Sequence, residues 1–201
     1  MRQVLKADRN AKKIVEKRME KAMLEIENSK GSTEANLKET AALENQQYLT
    51  FLLGEKVYGL EITNIKEIIE YGDVTEVPMT PDFISGVINL RGTVVPVIDL
   101  SQRFSGVPTK LAKRTSIIIL ELKNEDLHIE IGVTVDMVNE VLDIKTTEIE
   151  PAPSLGSQIQ TNFIKGMAKV DGTLLILLDI KNVLSVDELS QVGSINTANS
   201  G

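Results

Sequence analysis

Residues 83–100 read Phe83-Ile84-Ser85-Gly86-Val87-Ile88-Asn89-Leu90-Arg91-Gly92-Thr93-Val94-Val95-Pro96-Val97-Ile98-Asp99-Leu100, and the same frame returns 80 positions later as Phe163-Ile164-Lys165-Gly166, Gly172-Thr173 and Asp179. Runs rich in Ile and Val on both sides of a glycine-containing break read as a strand, a tight turn and a second strand. Gly92 and Gly172 stand where such a hairpin requires positive φ, a conformation glycine adopts without steric cost. Asp99 and Asp179 each precede a short polar-apolar segment and are natural helix N-caps. Pro96 cannot donate to a ladder, so its strand is expected at an edge or a bulge.

Upstream the repeat continues. Gly59, Ile62, Ile65, Glu67, Ile68 and Ile69 recur 73 positions later as Gly132, Val135, Val138, Glu140, Val141 and Leu142, and Pro78 recurs as Pro151. The offset grows by seven across residues 151–162, which reads as a loop. Tyr48 to Leu53 and Val57 to Ile62 flank Gly54-Glu55-Lys56 as one hairpin, and Ser116 to Leu122 and Leu127 to Val135 flank residues 123–126 as another. These patterns predict an all-β fold of two matching tandem units, about 47–112 and 113–187, each forming one small barrel. A core of that size is marginal alone, so the barrels are expected to support each other.

Ahead of this body, residues 2–28 contain neither Gly nor Pro and set Val15, Met19, Ala22 and Ile26 on one helical stripe. Residues 1–46 therefore read as a helical extension and linker, expected to add nothing to the stability of the barrels. Residues 188–201 read as a tail. The first 46 residues carry 10 Lys/Arg and 8 Asp/Glu, which leaves 12 against 21, or −9, for residues 47–201. An acidic body argues against nucleic acid as main partner. The longest apolar runs, such as Leu174 to Leu178, are far shorter than the ~18 residues of a membrane span, so no membrane insertion is expected. With no cysteine, one histidine and no apolar leader pattern at the N-terminus, the expected compartment is a reducing cytoplasm. Thiolate sites, disulfides and two-histidine metal sites are excluded by composition.

The chemistry-bearing residues are few. Glu67 and Glu140 could serve as paired carboxylates, but their equivalence in the repeat reflects duplication, and partner contact is the expected role. Asp73, Glu76, Asp136, Asp143, Glu148 and Glu150 lack calcium-loop spacing. His128 alternates with Leu127 and Ile129 and is expected to face solvent. Gly86, Gly92 and Gly106 lack the spacing and the following Lys-Ser/Thr of a phosphate cradle. No catalytic residue, cofactor or metal is expected.

Tyr58-Gly59-Leu60-Glu61-Ile62, Ile65-Lys66-Glu67-Ile68, Phe83 to Gly92 with its Asn-Leu-Arg-Gly, and Val95-Pro96-Val97-Ile98-Asp99-Leu100 together resemble the CheW family of bacterial chemotaxis coupling proteins. Gly132 to Asp136, Glu140 to Leu142, Phe163 to Gly166 and Leu174 to Asp179 agree in order, so the resemblance spans about 47 to 187. It implies two SH3-like five-stranded β-barrels packed together, no enzymatic activity, and a role joining the cytoplasmic tips of chemoreceptors to the regulatory domain of the histidine kinase CheA, at arrays under the membrane. It also implies a groove between the barrels for the receptor's helical hairpin. The positions matching the family's partner contacts are Ile65, Glu67, Arg91, Ser116 and Val141, with apolar surface near Ile65 and Val141 and charge from Glu67 and Arg91; alternation alone equally allows Ile65 and Val141 to be core. Two other readings compete: a fragment of a CheV-type protein, in which such a domain is fused to a receiver, and a ligand-binding regulator that dimerises through residues 2–28.

Overall fold

The computed structural model describes residues 45–152 apart from 125 and 126, residues 161–184, residue 188, and ahead of them positions 16, 17, 20, 21 and 24. Glu16, Lys17, Glu20, Lys21 and Leu24 are helical and exposed. The stripe of Val15, Met19, Ala22 and Ile26, most of the loop after Pro151, and the His128 side chain lie outside the described residues.

Both hairpins form where the alternation puts them. β1 (Asn45–Leu53) pairs antiparallel with β2 (Lys56–Glu61), Leu53 opposite Lys56. β6 (Ser116–Asn124) pairs with β7 (Leu127–Val135), Asn124 opposite Leu127. The remaining strands are β3 (Ile65–Glu70), β4 (Ile84–Leu90), β5 (Thr93–Asp99), β8 (Met137–Lys145), β9 (Ile164–Val170) and β10 (Thr173–Leu178). They make two five-stranded sheets, ordered β8-β1-β2-β10-β9 and β3-β6-β7-β5-β4.

The sheets do not follow the two sequence units. Residues 65–135 supply every strand of one sheet, here the continuous barrel, while the split barrel combines β1 and β2 with β8, β9 and β10. Each unit's first hairpin thus joins the other unit's last three strands, through the parallel pairs β2–β10 and β5–β7. Both copies of a repeated segment offer the same apolar face, so the pattern alone does not choose between them; the connections do. Chain leaves the split barrel through a 3₁₀ turn at Ile62–Asn64, with Ile62 buried, and returns at Asp136. There Asp136 Oδ2 accepts from the Gly54 N–H at 2.6 Å, and its own N–H donates to the Leu52 carbonyl.

Single bridges close the sheets into barrels: Thr75 to Val87 in the continuous one, Glu150 to Met167 in the split one. They explain the paired glycines. A Cβ on Gly86, which has φ +142°, would stand 2.2 Å from the Thr75 carbonyl oxygen, and one on Gly166 would stand 2.9 Å from that of Glu150. Pro96, against expectation, lies on an inner strand between β4 and β7. It sits opposite Val87, whose N–H and C=O turn away to Thr75, so that pair exchanges no ladder bonds. Pairing with β7 starts only at Val97, and the missing N–H of Pro96 therefore leaves no ladder bond unmade.

Each barrel encloses a small core, Tyr48, Ile144, Ala168, Leu175 and Leu177 in the split barrel and Ile88, Val95, Val97, Ile117 and Ile119 in the continuous one. The larger cluster lies between them and draws on both sheets, including Phe51, Leu60, Ile65, Ile118, Ile131, Val141 and Ile176. The mutual support expected of two small cores is this shared layer. Both aspartate caps form: Asp99 accepts from the Gln102 N–H ahead of α1 (Leu100–Ser105), and Asp179 from the Lys181 N–H ahead of α2 (Ile180–Val183).

Candidate partner-binding surface

Arg91 and Gly92 form the two-residue turn between β4 and β5, with φ of +53° and +92°, and Leu90 faces Thr93 across it. Two successive positive φ values match the right-handed twist of the flanking strands. Glycine tolerates this; an arginine costs about 1 kcal/mol or more in the left-handed region. The equivalent residue Asp171 (φ +48°) is a type that region tolerates. The Asn89 Oδ1 accepts the Gly92 N–H at 2.8 Å and fixes the turn. From it the Arg91 Nη2 donates to Glu67 Oε2 on β3 at 3.0 Å. β3 and β4 are the terminal strands of the sheet order, so this ion pair spans the seam of the barrel beyond the Thr75–Val87 bridge. Arg91 keeps 78% of its side chain exposed and Glu67 21%. Nearby Lys66 on β3 pairs with Glu130. At the matching seam of the split barrel the residues are Glu140 and Asp171, both acidic and both exposed, and neither forms an ion pair among the described residues.

The other three expected contact residues are placed differently. Ile65 and Val141, at 1% and 2% exposure, belong to the shared core, so no apolar contact surface is made from these side chains. They fall on the strand face that meets the opposite barrel, a face that is exposed only while the second sheet is ignored. Ser116 is buried as well, and its hydroxyl donates to the Arg114 carbonyl. The structure therefore brings Glu67 and Arg91 together and leaves Ile65, Ser116 and Val141 inside.

Between the barrels, an open cleft of about 260 Å³ runs between the β1–β2 turn and α1, with Leu53, Tyr58 and Phe104 as its apolar lining and Glu55, Lys56, Ser101 and Ser105 as its polar lining. Sequence reasoning missed Arg103, on the same helix. Its guanidinium lies 4.3 Å from the ring centre of Phe83 and 5.4 Å from that of Phe163, repeat-equivalent residues. It also donates to the Val183 carbonyl and pairs with Glu188. A solitary Arg after a capping Asp carries no such signal, because the rings come from two units 80 residues apart.

On the split barrel, Lys165 Nζ lies 2.7 Å from Glu61 Oε2 and over the Tyr48 ring. Burial pulls the Lys165 ammonium down, but the bond and charge of Glu61 outweigh it, and its pKa is raised. Burial raises the Tyr48 phenol, with Lys165 opposing.

Residues 47–188 match the family model described as the CheW-like domain. The chemotaxis protein CheW of Klebsiella aerogenes is 36% identical over 150 residues, covering 75% of this chain and 88% of the relative. That of Bacillus subtilis is 36% identical over 140 residues, covering 69% and 86%. The crystal structure of the scaffolding protein TtCheW from Thermoanaerobacter tengcongensis matches with a TM-score of 0.64 and 37% identity, covering 71% of this chain and 90% of that one.

Proposed function

The chain belongs to the CheW family and is a chemotaxis scaffold, and we propose that it joins the cytoplasmic tips of chemoreceptors to the regulatory domain of the histidine kinase CheA by binding both, without chemistry of its own. Among the described residues no helix is long and apolar enough to cross a membrane. The proposed place is the cytoplasm, at receptor arrays held to the membrane by the receptors.

The observation that carries this reading is Arg91. An exposed arginine stands in a strained turn where glycine or asparagine would fit at lower cost, and strain held at an exposed position points to a functional constraint. The fold does not need it, since an exposed ion pair contributes at most about 1 kcal/mol. A partner that excludes water from the Glu67–Arg91 pair would meet a guanidinium already oriented, with further donors free for a carboxylate or carbonyl. The shared core makes the two barrels one packed body, so partners held on different faces keep a fixed spacing.

The test is kinase activation in arrays reconstituted from receptor, CheA and this chain. Arg91→Ala and Arg91→Lys should both abolish assembly while leaving the isolated chain folded. The exchange Glu67→Arg with Arg91→Glu restores an internal ion pair and should remain inactive. Full activation by that double variant would overturn the contact role and leave the pair as a brace of the barrel.

A further inference from the structure

The connection from α1 to β6 differs in charge from the body around it. Val107 to Arg114 holds Lys110, Lys113 and Arg114 and no carboxylate, on a body of net −9 over residues 47–201 (12 Lys/Arg against 21 Asp/Glu). Residues 105–108 and 110–114 are all exposed. Val107 and Leu111 have 55% and 59% of their surface in solvent. Lys66, Arg91, Arg103, Lys145 and Lys165 all have carboxylate partners, whereas none of these three cations forms an ion pair among the described residues.

Nor is this a loosely tethered linker. The Thr109 N–H and hydroxyl donate to the Asp99 carboxylate at 2.7 and 2.8 Å. Asp99 is itself buried and caps α1. The Ala112 N–H donates to Thr115 Oγ1 at 2.8 Å, and the Thr115 N–H returns to the Ala112 carbonyl. A buried carboxylate and a closed turn thus hold two aliphatic and three cationic side chains outward, which removes much of the ordering cost of association.

We propose that residues 107–114 are a docking surface for an acidic protein segment that sets carboxylates beside aliphatic side chains. The surface is separate from the Glu67–Arg91 pair, because the Arg91–Gly92 turn and Asp99 lie at opposite ends of β5, and it does not rest on the coupling role. Three cations fall short of the clusters of about 4–8 that hold a segment to anionic lipid. The loop has no aromatic side chain to stack on bases, and the acidic body repels a phosphate backbone. Two exposed aliphatics and three exposed cations on one eight-residue segment fit a carboxylate-bearing protein surface.

The experiment places a photo-crosslinking side chain at position 111 of the full chain, in cells that express it naturally, and maps the adducts by mass spectrometry, with the same group at exposed Glu148 as control. The expected adduct lies in a protein segment with a surplus of Asp and Glu. Lys110→Glu, Lys113→Glu and Arg114→Glu together should lower its yield by about tenfold or more, with an unchanged circular dichroism spectrum. An equal yield from the charge-reversed chain would overturn the proposal. So would adducts on lipid, on nucleic acid or on segments without surplus carboxylates, or no adduct above the Glu148 control.

Discussion

Arg91 and Glu67 lie 24 residues apart in the chain and 3.0 Å apart in space, tying the β4–β5 turn to the strand at the other end of the same sheet. The duplicated positions hold Asp171 and Glu140, so the second unit cannot make the bond. Duplication therefore built the frame twice, and only one copy carries a cation at its turn.

This asymmetry makes Arg91→Gly informative. Glycine relieves the positive φ, worth about 1 kcal/mol, and loses an exposed ion pair worth no more than that. The urea midpoint should stay the same or rise slightly while receptor–kinase assembly is lost. A clear drop in midpoint would show that Arg91 braces the barrel.

Val141→Asp should unfold the chain. Val141 is 2% exposed on β8, opposite Leu49 of β1, in the layer shared by both barrels. An unpaired carboxylate there costs several kcal/mol, a large part of a domain's stability. Val141→Ala should cost roughly 2 kcal/mol and leave partner affinity unchanged. A native spectrum for Val141→Asp would place this side chain at the surface after all.

How much of this was legible in the residues follows from what each signal depends on. The hairpins, the Arg91–Gly92 turn and the Asp99 and Asp179 caps depend on neighbours within a few residues, and all form as read. The exchange of strands between units depends on choosing between two near-identical partners, which alternation cannot do. Alternation leaves Ile65 and Val141 open between core and contact surface for the same reason, and the second sheet decides for the core: a strand face that looks outward in one sheet is the inner face of a pair. Arg91 stands out by its change of sign in the repeat, whereas the repeated frame reads only as far as Asp99 and Asp179, so the basic loop at 107–114 lies beyond it.

Gly86→Ala should open the continuous barrel. The added methyl would meet the Thr75 carbonyl carbon and oxygen at 2.7 and 2.2 Å, and backbone cannot yield as a side-chain tip can. The φ of +142° adds strain for any residue with a Cβ. A loss of about 3 kcal/mol or more is expected in urea titration, with faster hydrogen exchange at the Thr75 and Val87 amides, which bond across the bridge. Gly166→Ala meets the Ile149 Cγ2 methyl at 2.5 Å and the Glu150 oxygen at 2.9 Å, but a side chain can yield more than backbone and φ is not positive there, so it should cost less. Equal costs would mean that neither the backbone clash nor the positive φ sets Gly86 apart from Gly166.

Alkaline pH should weaken the fold. The Lys165 and Tyr48 pKa values are both raised, and burial also raises those of Tyr58 and Tyr71. The native chain then keeps these protons to higher pH than the unfolded chain, so stability falls wherever the unfolded state has released them first. The contribution is complete below the unfolded values, near about 10, and is lost as pH rises through the folded ones. The urea midpoint should be level from about pH 7 to 9 and decline above about 10. Glu61→Gln removes the carboxylate that raises Lys165, so it should lower the midpoint at neutral pH and flatten the alkaline decline. Tyr48→Phe should also flatten it, by removing a phenol that the unfolded chain ionises first. A decline of unchanged steepness in both variants would mean that the Glu61–Lys165–Tyr48 cluster takes no part in alkaline unfolding.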